Sequence, residues 1–116
     1  MTLDPPPARR EYPREPITAC RPIAVQVTAP DDAPTSPWLP ADILDLSLGG
    51  VCLLISADGA PGLEPGQALT LDLRSQPGFG VERLRCRLIW EVRSGFGVAL
   101  GLSFEEPLAM LPALQA

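Results

Sequence analysis

Two short segments of the sequence carry side chains suited to binding a planar, anionic ligand. The first contains Arg9, Arg10 and Arg14, and Pro13 and Pro16 favour an extended backbone around them. Guanidinium groups on an extended segment can stack on a nucleobase and donate hydrogen bonds to a phosphate or to guanine O6 and N7. Taken alone, the segment also fits a solvated, arginine-rich tail.

The second segment runs from residue 45 to residue 50 and has the pattern Asp-x-Ser-x-x-Gly. The alternation of a strand predicts Asp45 and Ser47 on one face, opposite the leucines at positions 44, 46 and 48. A carboxylate beside a hydroxyl can accept hydrogen bonds from the N1–H and N2–H₂ edge of guanine. Gly50 lets a ligand approach the backbone closely. These residue types also favour turns, so the segment alone fits a strand–turn–strand junction as well.

Groups for catalysis are scarce in this sequence. It contains no histidine, which excludes histidine triads, histidine general bases and nearly all catalytic zinc sites. The adjacent carboxylates at 31–32 and 105–106 are expected to be solvated charges. The Gly-x-Gly patterns at 78–80 and 95–97 precede no predicted helix, so they indicate hairpin turns and not phosphate-binding loops. We therefore predict a protein that is not an enzyme and that uses no metal or cofactor.

Length and charge narrow the class of protein further. The chain has 116 residues and a formal net charge of −5, which indicates one domain and argues against a bulk electrostatic grip on nucleic acid. The three cysteines lie more than 30 residues apart and are predicted to be reduced, buried thiols. The N-terminus has no apolar core of a signal peptide and no apolar run is long enough to span a bilayer. We expect a cytoplasmic protein with no membrane insertion.

Alternating apolar residues predict about six short strands, and the 15 prolines argue against long helices. The strands are predicted at 23–28, 42–47, 51–56, 69–74, 81–92 and 98–104, with a proline-rich loop over 29–41. This pattern is typical of an all-β barrel or sandwich, and a barrel is favoured because closure removes exposed strand edges. Residues 105–116 are expected to hold one short helical stretch, interrupted by Pro107 and Pro112.

The longest predicted strand has two contrasting faces. One face is apolar and is expected to point inward, with Trp90 as a core or barrel-end residue; it carries Leu84, Cys86, Leu88 and Trp90. The opposite face carries the three arginines at positions 83, 85 and 87, and we expect it to be solvated.

The two ligand-binding segments, in this order, resemble the motifs of the PilZ domain family. The resemblance extends through Leu88-Ile89-Trp90 and the strand from Gly97 to Phe104, and covers residues 9–106. It implies a six-stranded antiparallel β-barrel with a flexible N-terminal arm and a short C-terminal helical tail. It also implies a bacterial receptor for the second messenger cyclic di-GMP, not an enzyme.

The resemblance assigns a role to each candidate residue. Arg10 and Arg14 would contact guanine and phosphate groups, and Asp45 would accept hydrogen bonds from a guanine edge. Ser47 would add a hydrogen bond through its hydroxyl or backbone, and Gly50 would let the ligand pass closely. Arg9 would influence whether one cyclic di-GMP molecule or a stacked pair is bound.

These expectations divide the chain into a disordered lead at 1–8, a barrel domain at 9–106 with an arginine-rich switch at 9–21, and a short tail at 107–116. Ligand binding would draw the switch onto the barrel, and a separate, unidentified protein would receive the signal. One alternative is a PilZ-like protein–protein interaction module that does not bind the nucleotide, against which the presence of both motifs argues. Another is an unrelated barrel that binds single-stranded nucleic acid, against which the negative charge and the few aromatic residues argue.

Overall fold

The protein folds as a closed barrel of six antiparallel strands. The computed structural model describes residues 21–29, 31, 33–58 and 62–114, together with the backbone of residues 15–16. The strands are β1 Glu15–Pro16, β2 Pro22–Thr28, β3 Leu39–Leu46, β4 Gly50–Ile55, β5 Ala68–Asp72, β6 Arg83–Ser94 and β7 Gly97–Phe104. Neighbouring strands pair in the order β3-β2-β5-β6-β7-β4, and the pairing of β4 with β3 closes the barrel. The six-stranded antiparallel barrel predicted from the sequence is confirmed.

The interior of the barrel is filled by the apolar residues that alternate along each strand. Leu53, Leu71, Leu88 and Leu100 have at most 1% of their surface exposed. Burying one such side chain contributes about 1.5–3 kcal/mol to folding. The thiols of Cys52 and Cys86 are buried, and burial raises the pKa of Cys86 far above the usual thiol range.

Strand β3 begins three residues before its predicted start. It includes Leu39 and Pro40, a stretch that the sequence predicted as the end of a proline-rich loop. Pro40 pairs with Ala24 of β2, whereas the pairing of β3 with β4 begins only at Ala41. Because Pro40 has a paired strand on one side only, its missing N–H leaves no gap in the sheet. The other barrel strands start or end within two residues of their predicted limits.

A β-bulge in β3 places two consecutive side chains on the outer surface of the barrel. The register with β4 shifts between Ile43 and Asp45, so that Leu44 and Asp45 both lie opposite Cys52. Leu44 was predicted to share the face of Leu46, which is buried in the barrel interior. This prediction is wrong because the bulge inserts one residue and so interrupts the alternation.

A second β-bulge, in β6, places Trp90 on the outer surface and not on the inward face where it was predicted. The register between β6 and β7 shifts after Leu88, and Trp90 lies opposite Gly101. Leu88 points into the interior, but Trp90 packs in a separate cluster with Cys52 and Ala99, against which Leu44 also packs. We call these four residues the outer cluster. Trp90 is buried, yet it is not a residue of the barrel interior.

The predicted helical tail is not present in residues 107–114, which contain no helix. Pro107 and Pro112 leave only four residues between them, and the residue before a proline is disfavoured in helical conformation. The segment instead packs Leu108 and Leu114 against the core. The predicted N-terminal lead and most of the predicted switch lie outside the described residues. Among the described residues, no helix has the length and apolarity that crossing a bilayer requires.

Candidate functional site

The segment from Ser47 to Gly50 forms a tight turn between β3 and β4. The Ser47 N–H donates to the carbonyl oxygen of Gly50 at 2.9 Å. The Ser47 hydroxyl accepts hydrogen bonds from the N–H groups of Gly49 at 3.2 Å and Gly50 at 3.1 Å. The side chain is buried, with 6% of the residue exposed. Ser47 therefore shapes the turn, as the strand–turn–strand interpretation of this segment predicts, and its direct contact with a ligand stays a prediction.

Gly50 is required by the packing of β4 against β7. A Cβ atom at this position would overlap the carbonyl oxygen of Leu102, a backbone atom of the neighbouring strand. The sequence analysis explained this glycine by the approach of a ligand. The structure adds a reason that is independent of any ligand, because two backbones come together here.

Asp45 lies on the outer surface between two strands. Its neighbours in register are Cys52 on β4 and Pro16 on β1. Strand β1 also pairs Glu15 with Leu46, so the residue that directly follows Arg14 in sequence lies beside the Asp-x-Ser-x-x-Gly segment. Arg14 itself, with Arg9 and Arg10, lies outside the described residues.

Cys52 and Gly101 lie in register beside Asp45 and are buried next to the indole ring of Trp90. In register across the sheet, Asp45 is followed by Cys52 on β4, Gly101 on β7 and Trp90 on β6. A Cβ atom at Gly101 would overlap the indole ring of Trp90, so the ring lies directly on this glycine. Trp90 was predicted as a core or barrel-end residue, whereas Gly101 was not singled out, although a glycine inside a strand is a signal of close approach.

A second row of outward positions runs parallel to the first, two residues along β4 and β7 and, because of the bulge, three residues along β6. It contains Gly50 on β4, Ser103 on β7 and Arg87 on β6. We call the surface formed by the two rows the β3–β6 face. It combines a half-buried carboxylate, the buried apolar cluster around Trp90 and a half-exposed guanidinium group. Among the described residues, no group of three or more acidic, cysteine or histidine side chains could hold a metal ion.

Comparison with known families identifies the chain. A family model for the PilZ domain matches residues 8–111. The chain belongs to the PilZ domain family. Comparison with curated proteins gave no match. Among solved structures, the chain is similar to the PilZ domain with c-di-GMP of YcgR from Escherichia coli, at 22% identity and a TM-score of 0.49, over 84% of this chain and 79% of that chain.

Three of the six predicted site residues of this PilZ domain are described, and they lie together. Asp45 is near the end of β3, Ser47 is in the turn, and Gly50 begins β4.

The turn between β3 and β4 also holds the end of β7 and the segment that follows it. The carbonyl oxygens of Leu48 and Gly49 accept hydrogen bonds from the N–H groups of Leu108 at 2.7 Å and Phe104 at 2.9 Å.

Replacing Gly101 by alanine is expected to displace Trp90 and expose the thiol of Cys52. The new methyl group overlaps the indole ring, and overpacking of this kind costs about 1–3 kcal/mol. The measurement is the rate of thiol labelling under native conditions in a Cys20→Ser background. Cys52 should label faster in the Gly101→Ala variant than in the parent protein, and Cys86 should stay unreactive in both. A Gly95→Ala variant is the control, because a Cβ at Gly95 meets open space; equal labelling rates in all three proteins would contradict this account.

Proposed function

We propose that this PilZ domain is a receptor for cyclic di-GMP and binds it on the β3–β6 face. The observation that carries the proposal is the pairing of β1 with the end of β3. This pairing brings the chain directly after Arg14 into register with Asp45 and Leu46. The residue that follows the first motif thus lies beside the second motif, although the two motifs are about 30 residues apart in the chain.

The chemistry of this place suits guanine. The carboxylate of Asp45 accepts hydrogen bonds from the N1–H and N2–H₂ groups of a guanine edge, which adenine does not present. Arg10 and Arg14 supply guanidinium groups that stack on a base and bind phosphate. Because the whole chain has a net charge of −5, the attraction for an anion must come from arginines placed locally and not from the bulk charge.

The proposal includes an output that passes to a separate protein. Ordering of the arginine segment against the turn changes the surface around residues 45–50, and the hydrogen bonds of Leu48 and Gly49 connect that turn to the segment after β7. No reaction product is needed for such a signal. The buried thiol of Cys86, which forms no disulfide, supports the proposed cytoplasmic location, because such a thiol fits a reducing compartment.

The test is a calorimetric titration of the purified protein with cyclic di-GMP, alongside GTP and cyclic di-AMP. We expect saturable binding of cyclic di-GMP only, and at least a tenfold loss of affinity in an Arg14→Ala variant. The stoichiometry reports whether one ligand or a stacked pair is bound. Absence of heat and of any thermal shift at high ligand concentration would contradict the proposal. The protein would then be an interaction module that does not bind the nucleotide.

A further inference from the structure

The three arginines on the outer side of β6 do not form the uniformly solvated row that the sequence predicted. The guanidinium carbon of Arg83 lies 5.2 Å from the centroid of the Trp38 ring. The Nε atom of Arg85 lies 3.1 Å from Oε1 of Glu105, and the side chain is only 24% exposed. Arg87 is 53% exposed, and one of its terminal nitrogens lies 4.0 Å from the same carboxylate oxygen. The three arginines therefore differ in the strength of their contacts with neighbouring side chains, and Arg87 has the weakest contact.

Arg87 lies in the same row of outward positions as Gly50 of the predicted site. Gly50 pairs with Ser103 across β4 and β7, and Ser103 pairs with Arg87 across β7 and β6. Directly paired residues of antiparallel strands point to the same side of the sheet. Since neighbouring strands are about 4.8 Å apart, Arg87 lies roughly 10 Å from Gly50 along the sheet, and β6 is roughly 14 Å from the β3 strand of Asp45.

The present contacts of Arg87 can be exchanged for stronger ones. Its NH1 group donates to the carbonyl oxygen of Gly66 at 3.2 Å, and its contact with Glu105 is at the outer limit of an ion pair. Exposed ion pairs of this kind contribute little to stability. A phosphate group offers two oxygens to a guanidinium group in bidentate geometry, which is the stronger arrangement.

We propose that Arg87 binds a phosphate of the nucleotide from the barrel wall and thereby favours a dinucleotide over a mononucleotide. This inference rests on the proposed function. A ligand whose guanine lies at Asp45 must extend across β4 and β7 to reach Arg87. A cyclic dinucleotide carries two phosphates on one ring, so one can bind near Asp45 while the other reaches Arg87, whereas a nucleoside monophosphate has a single phosphate and cannot occupy both places. Glu105 acts as the competing anion that holds Arg87 when no ligand is bound.

The first test compares Arg87→Gln with Arg83→Gln, which removes the same charge from the same strand but at Trp38. We expect Arg87→Gln to weaken cyclic di-GMP binding about tenfold and to reduce the dependence of affinity on salt. The Arg83→Gln variant should bind like the wild type. If wild-type protein binds and Arg87→Gln binds equally well, the inference is wrong and the proposed function stands. If wild-type protein does not bind, the proposed function is wrong and the inference falls with it.

The second test removes the competing carboxylate. A Glu105→Gln variant is expected to bind cyclic di-GMP about threefold more tightly, because Arg87 is no longer held back. The gain should disappear in the double variant Glu105→Gln/Arg87→Gln. A gain that persists in the double variant would assign the effect to Arg85 and overturn the inference. Circular dichroism and thermal unfolding of each variant show that the barrel is intact.

Discussion

Replacing Asp45 by alanine is expected to lower the affinity for cyclic di-GMP at least about 100-fold. The variant loses two hydrogen bonds from a guanine edge to a charged acceptor, each contributing about 1.5–3 kcal/mol. A loss of about 3 kcal/mol in binding free energy corresponds to roughly a 100-fold change in affinity. Folding should be affected far less, because Asp45 lies on the outer surface beside the bulge. Calorimetric titration measures the affinity, and urea unfolding measures the stability.

Two further variants make this prediction specific. Asp42→Ala removes a carboxylate from the same strand and changes the net charge equally, so it should leave ligand affinity within about twofold of the wild type. Asp45→Asn keeps one oxygen acceptor and should recover part of the affinity. If Asp42→Ala and Asp45→Ala weaken binding equally, the effect is one of net charge, and Asp45 does not bind a guanine edge.

The strands of the barrel could be predicted because their alternation is regular. Apolar residues occupy every second position of each strand, and their side chains fill the interior, as those of Val25, Leu71 and Leu100 do. The alternation gave the wrong face for Leu44 and Trp90, because one bulge in β3 and another in β6 place these side chains on the outer surface. A bulge depends on how two strands fit together, and a single strand's sequence carries no periodic signal for it. The prediction of a helical tail was wrong for a local reason, because the two prolines of the tail are too close together to allow a helix.

The candidate site shows the same division between local and long-range information. The sequence predicts the chemistry of Asp45 from residue type, and the binding of a guanine edge by this carboxylate stays a prediction. The role of Ser47 in the turn follows from hydrogen bonds within three residues, and the turn-forming residue types of this segment predict it. The contact between Gly101 and the ring of Trp90 joins β7 and β6 in register. Such a contact depends on the pairing of distant segments, which the sequence pattern does not specify.

The second large effect is expected at Gly50, where the structure and the family resemblance give different reasons for the same residue. A Gly50→Ala variant should lose about 3 kcal/mol or more of its free energy of unfolding. The added methyl group overlaps the carbonyl oxygen of Leu102, and a backbone atom cannot move aside without separating β4 from β7. For a domain of about this size, the loss corresponds to a fall in melting temperature of about 15 °C.

The control and the ligand measurement separate the two reasons for Gly50. Gly95→Ala adds the same methyl group in open space at the β6–β7 hairpin, and its stability should stay within about 0.5 kcal/mol of the wild type. Ligand binding by Gly50→Ala is then measured at a temperature where the variant is folded. If the variant unfolds like the wild type but no longer binds cyclic di-GMP, the glycine serves the approach of the ligand. If stability falls and the folded fraction still binds, the glycine serves the contact between β4 and β7, which is the outcome that the position of Leu102 predicts.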